Sequence, residues 1–140
     1  RLFTKDATSL NKNDLPEKVS AIVSETYLGP PTKQFPTKEQ LKKTIGHIEN
    51  TLIGFFRSIK PHISRDTTFV ISILAYKNGK DYVRLVNVVS DIKKLGYEAE
   101  PLLSKELIAK FNLKTDGRDS IIYDRPDQIV CREIWKFKQK

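Results

Sequence analysis

The chain has 140 residues, 39 % hydrophobic and 30 % charged, with a formal net charge of +8 and a single cysteine, Cys131. This describes one folded domain with a real core and a basic surface that attracts polyanions at long range. It excludes an intrachain disulfide and a cysteine-built metal site, and no apolar run approaches the roughly 18 residues of a membrane span.

The chain starts at Arg1, contains no methionine and enters at once what reads as a short strand, RLFT. We therefore expect a piece of a longer protein. No signal peptide is visible at the start. One cysteine agrees with a reducing compartment, and the expected location is cytoplasmic.

After RLFT, the segment DATSLNKNDLPEK is polar and turn-rich, with Leu10 and Leu15 as anchors. VSAIV is a short apolar run of the kind buried in a parallel sheet. SETYLGPPTKQFP reads as a long, punctuated loop. From Thr37 the sequence predicts a long amphipathic helix. Thr37 and Gln40 form a capping-box pattern. Leu41, Ile45, Ile48, Leu52, Phe56 and Ile59 recur at steps of three and four, and Pro61 ends the run.

TTFVISILAY is the best central strand, followed by the turn KNGKD. YVRLVNVVSDIKKLGY reads as a second helix with Val88, Ile92 and Leu95 inward and Gly96 at its C-cap. SKELIAKF reads as a short helix with Leu107, Ile108 and Phe111 inward. DSIIYDRPDQIVCREIWKF reads as an antiparallel hairpin around RPDQ. Lys136, Lys138 and Lys140 alternate on its second strand and share a wet side. Alternating strands and helices predict an α/β fold with a mostly parallel sheet, helices on its faces and a C-terminal antiparallel hairpin. There is no repeat and no linker, so residues 1–140 read as one domain.

Ligands gather beyond the C-terminal ends of strands in such sheets. Two segments offer polar groups there. Asp6 either meets a cofactor's adenine or ribose edge or caps a turn. In the second segment, Glu25 could accept an N–H from an amine, Tyr27 could stack on a planar ring, and Gly29 permits close backbone approach. Pro30 and Pro31 stiffen the exit. The same residues also suit an ordinary strand exit into the next helix. Lys33, Lys38, Lys42 and Lys43 follow closely. They either guide a phosphate backbone or form a solvated face. His47 reads as a packing or capping residue, His62 sits at a helix end, and their spacing suits no metal. Ser24 has no visible triad partner. Cys131 reads as buried.

Three segments in order carry a resemblance. AIVSETYLGPP resembles the catalytic segment of class I S-adenosylmethionine-dependent amino-methyltransferases, where a strand ends in Asp or Asn followed by Pro-Pro-Tyr. IIYDRPDQIVCREI is similar to the closing hairpin of the tRNA guanosine N2-methyltransferases and putative DNA methylases. KDATSL resembles that group's acidic turn after the third strand.

The resemblance implies a Rossmann-like methyltransferase sheet, ordered 3-2-1-4-5-7-6, of which this chain holds the C-terminal half, the N-terminal strands being missing. It implies that Glu25, Thr26 and Tyr27 handle the target base, with Glu25 in place of Asp or Asn and Thr26 in place of the first proline. Asp6 and Ala7 would lie by the S-adenosylmethionine adenine, and Gly29, Pro30 and Lys33 would support the loop. The partner implied is nucleic acid, tRNA ahead of DNA, with no metal. Without its first strand, the SAIV strand would expose an edge that invites self-association. Two alternatives are a non-enzymatic basic α/β nucleic-acid-binding or scaffold domain and a DNA amino-methyltransferase.

Overall fold

The strongest helical signal becomes helix α1, Lys38–Ile59, in the computed structural model, which describes residues 2–112 and 117–140. The Thr37 hydroxyl accepts from the Gln40 amide at 3.2 Å, and the Gln40 side chain accepts from the Thr37 N–H at 2.9 Å. Each bond satisfies an amide at the helix start, where no earlier turn can. Ile48, Leu52, Phe56 and Ile59 are buried, because steps of four and three stay on one side of a 3.6-residue helix. A 3-10 turn containing Pro61 follows, Lys60–His62.

Six strands form one open sheet: β1 (Ala21–Glu25), β2 (Thr68–Asn78), β3 (Asp81–Arg84), β4 (Tyr97–Glu100), β5 (Ile121–Tyr123) and β6 (Val130–Gln139). Helices α2 (Val86–Lys94) and α3 (Lys105–Lys110) and short 3-10 turns at Ala7–Ser9 and Lys12–Asp14 complete the described elements. The main path runs β1-β2-β6-β4. Thr68–Tyr76 of β2 pair with β6 along one edge, while β1 and then β3 take the other edge. In the same way β5 and β4 share the outer edge of β6.

Phe69, Ile71, Trp135, Phe137 and Tyr97 point to the face covered by α1 and α2, forming one core with Ile48, Leu52, Phe56, Val88 and Ile92. Phe56 is its centre, with ring centroids 4.8 Å from Tyr97, 5.2 Å from Phe69 and 5.6 Å from Phe137. The Tyr97 hydroxyl donates to the Phe56 carbonyl at 2.9 Å, which satisfies the one polar atom of a buried ring. Burial also holds the Tyr97 hydroxyl far above its ordinary pKa. Leu10 and Leu15 pack against this core as anchors.

Several expectations change. Residues 2–4 of RLFT form no strand, Arg1 lying outside the described residues: they pair with none of the described strands, and Leu2 is fully exposed. A strand needs a neighbour to satisfy its backbone, and four residues supply no buried face to hold one.

The sheet is mixed rather than mostly parallel. Only β1 and β2 run parallel, and the other four described pairings are antiparallel. The reason is local. Gly79, at φ +64°, turns β2 straight into β3, and a tight turn can return a strand only antiparallel. Tyr82, Val83 and Arg84 are therefore strand, and the second helix starts at Val86.

Its end is as expected, with Gly96 at φ +87° receiving the chain. The terminal hairpin is also as expected. Leu107 and Phe111, expected inward on α3, are exposed; only Ile108 of that trio is half-buried. Six helical residues lie at the rim here, too few to reach the core with all three.

β4 was not anticipated. Its Glu98 and Glu100 lie across from the alternating lysines of β6. Lys136 meets Glu100 at 2.8 Å and Lys140 meets Glu98 at 2.6 Å. The wet lysine face is thus a cross-strand ion-pair ladder.

Candidate active site

β1 ends where the polar loop begins, and Thr26 fixes that end. Its N–H donates to the Ser72 carbonyl at 3.1 Å and its hydroxyl to the same oxygen at 2.9 Å. The alternation of a strand then separates its neighbours. Ile22 and Ser24 face α1; Val23 and Glu25 face the other side.

Glu25 forms a two-pronged pair with Arg132 of β6, at 2.8 and 3.1 Å. The guanidinium's hydrogen bonds, with its charge, hold the Glu25 carboxyl below the usual carboxylate range. Glu25 therefore stays ionised and largely exposed.

Tyr27 turns back toward α1. Its ring meets His47 edge-on, with centroids 5.7 Å apart. Together they separate two cavities. The smaller, 260 Å³, lies between β1 and α1 and is lined by Ala7, Ile22, Thr26 and Phe55 among others. The larger, 610 Å³, lies between the loop and α1 and is lined by Pro30, Pro31 and Pro36 on one wall.

Gly29 makes the larger cavity's shape possible. It sits at φ +81°, and a Cβ there would lie 2.9 Å from the Thr44 methyl and 3.0 Å from the Tyr76 hydroxyl. A side chain would be both strained and crowded. Lys33 is exposed on the same loop.

The structure therefore gathers Ala7, Thr26 and Tyr27 on one cavity, and Tyr27 and Pro30 on the next. Glu25 stands on the opposite face of the sheet. Asp6 caps the 3-10 turn Ala7–Ser9, accepting from the Thr8 N–H and hydroxyl, each at 2.8 Å. Those bonds hold its carboxyl below the ordinary value. Gly54 lets this turn approach α1, where a Cβ would meet Thr8 at 2.7 Å.

Sequence reasoning missed Arg132 as the partner of Glu25 and Tyr76 as a cavity wall. It named Gln40, Lys43 and His47 for other roles but missed Thr44 and the grouping of all four as one stripe along the cavity wall. The stripe has a readable signal: steps of three and four, beside the apolar stripe of α1.

Among the described residues no group of three His, Cys, Asp or Glu side chains converges as a metal site, and no helix is long and apolar enough to cross a membrane. No family model, curated protein or solved structure matches the chain.

Proposed function

We propose that this chain is the acceptor-side half of a Rossmann-like methyltransferase that modifies an exocyclic amine of a nucleobase, guanosine N2 in tRNA ahead of a DNA base. The observation that supports this reading is the strand path. β1, β2 and β4 run one way and β6 the other, in the order β1-β2-β6-β4. Taken as strands four, five, seven and six, this path agrees with the end of the order the resemblance implies. In that reading β4, not β5, takes the place of strand six.

S-adenosylmethionine is the methyl donor the reading implies, and these residues do not make its site. The cavity beside Ala7 is lined mainly by apolar side chains and by no carboxylate. The nearby Asp6 is already engaged by Thr8. The donor's site then belongs to residues outside this sequence, and this chain handles the base.

A backbone carbonyl beside Thr26, or Glu25 once its side chain leaves Arg132 and rounds the end of β1 from the opposite face, accepts a hydrogen bond from the amine and aims its lone pair. Tyr27 offers an exposed ring to the base. Arg132 keeps Glu25 ionised, and its N–H bonds must yield for the carboxylate to meet the amine. A base must leave its stack to reach these groups, which costs least in a single-stranded region.

The test is methyl incorporation by the intact parent protein into tRNA and DNA. Glu25→Ala is expected to lower turnover about a hundredfold or more with little change in donor affinity. Unchanged turnover removes Glu25 from the reaction. Incorporation into DNA alone transfers the reading to a DNA amino-methyltransferase. The 140 residues alone are expected to bind the donor weakly or not at all by calorimetry, and tight binding would overturn the division of labour. The non-enzymatic reading, a basic nucleic-acid-binding domain, is favoured by one observation: the Glu25–Arg132 pair also serves as a plain clamp between β1 and β6.

A further inference from the structure

The 610 Å³ cavity has a size typical of small-ligand sites, and its walls have distinct chemistry. One wall is the loop, with Pro30, Pro31 and Pro36 stiffening it. The facing wall is the stripe Gln40, Lys43, Thr44 and His47, spaced to share one side of α1. Tyr27 and Tyr76 complete the lining. No carboxylate lines it, and no acidic partner engages Lys43 among the described residues. Tyr27 meets His47 in a T-shaped contact and is about half exposed, which leaves ring surface open to a ligand.

A planar ring, a cation without a counter-charge and hydrogen-bonding side chains suit one ligand class in particular. We infer that this cavity seats a single nucleotide, its base against Tyr27 and its phosphate at Lys43. Bases stack on aromatic side chains whatever their sequence, and a lysine ammonium is a ready phosphate partner. His47 braces the Tyr27 ring and adds a second donor.

This inference rests on and deepens the acceptor-side reading, since it gives the substrate strand a phosphate contact at Lys43 beside the base on Tyr27. It does not depend on methyl transfer for its test. The full chain, labelled for nuclear magnetic resonance, is titrated with guanosine 5′-monophosphate, guanosine and inorganic phosphate, with no methyl donor. Saturable shifts of the Tyr27 and His47 rings are expected with the nucleotide. The nucleoside should bind about tenfold more weakly, the size of one charge-assisted contact.

Lys43→Ala should close that gap while the rest of the amide spectrum stays in place. Tyr27→Ala should weaken nucleotide and nucleoside alike. Absence of saturable shifts at millimolar nucleotide, equal binding of nucleotide and nucleoside, or an unaffected Lys43→Ala would each overturn the inference. Nucleotide binding without methylation by the parent protein would retire the methyl-transfer reading and leave this seat. Methylation without nucleotide binding would do the reverse.

Discussion

Gly29 shows how one missing side chain shapes a site. Its backbone is left-handed, and Thr44 and Tyr76 occupy the space a Cβ would need. Gly29→Ala is expected to destabilise the chain by about 1–3 kcal/mol, measured as a lower thermal midpoint, with the Tyr76 ring signal displaced. Glu25 shows the opposite case, a residue defined by a partner. Arg132→Gln should return the Glu25 carboxyl to a higher pKa, read from its side-chain carbon shift. The sign for stability follows. Glu25 has a depressed folded-state pKa, so the pair's contribution is present above the unfolded carboxylate pKa and fades as pH falls through the folded value. Both groups are partly or largely exposed, so that contribution is below about 1 kcal/mol. Gly29, Pro30 and Tyr27 stand out in the sequence because their signals are local. Arg132 does not, because it lies 107 residues from Glu25 and only the β1-β2-β6 arrangement joins them.

At the level of elements, α1 carries the most information in its own sequence. Cap, stripe and stop are all within one stretch, so its bounds follow from local chemistry. Thr37→Ala should cost about 1 kcal/mol, and Phe56→Ala about 3–5 kcal/mol, because Phe56 fills the space between two strands and a tyrosine ring. Chemical denaturation of the two variants checks the ranking, and equal losses would contradict it. β4 is the contrary case. Its four residues, Tyr97–Glu100, include only two that face the core, and its glutamates read as loop. What makes it a strand is its pairing with β6, far along the chain, and the burial of Tyr97. The mixed sheet was illegible for a related reason. Helix–strand alternation suggests a parallel sheet, but strand direction depends on turns such as Gly79 and on which edge is already taken.

The molecule as a whole is a sheet with α1 and α2 on one face. The other face is bridged by ion pairs, Glu25–Arg132 on one flank and Glu100–Lys136 on the other. At the end of the path β1 pairs only with β2 among the described strands, and Val23 is three-quarters exposed. A bare strand edge with an apolar residue invites another strand. Val23→Lys is therefore expected to reduce concentration-dependent association, seen by sedimentation, without lowering the thermal midpoint of the dilute chain. The sequence-level view of an open SAIV edge concerns this same strand.

The two long strands have a further consequence for motion. β2 and β6 face each other through nine consecutive register pairs, and the shorter strands dock onto their outer edges. An amide within Phe69–Tyr76 that bonds to β6 can meet solvent only when the central ladder opens, whereas those of β1 can be released by peeling away one five-residue strand. Deuterium uptake should thus run in a fixed order, β1 first and the centre of β2 last. The slowest amides there should report the stability of the entire fold.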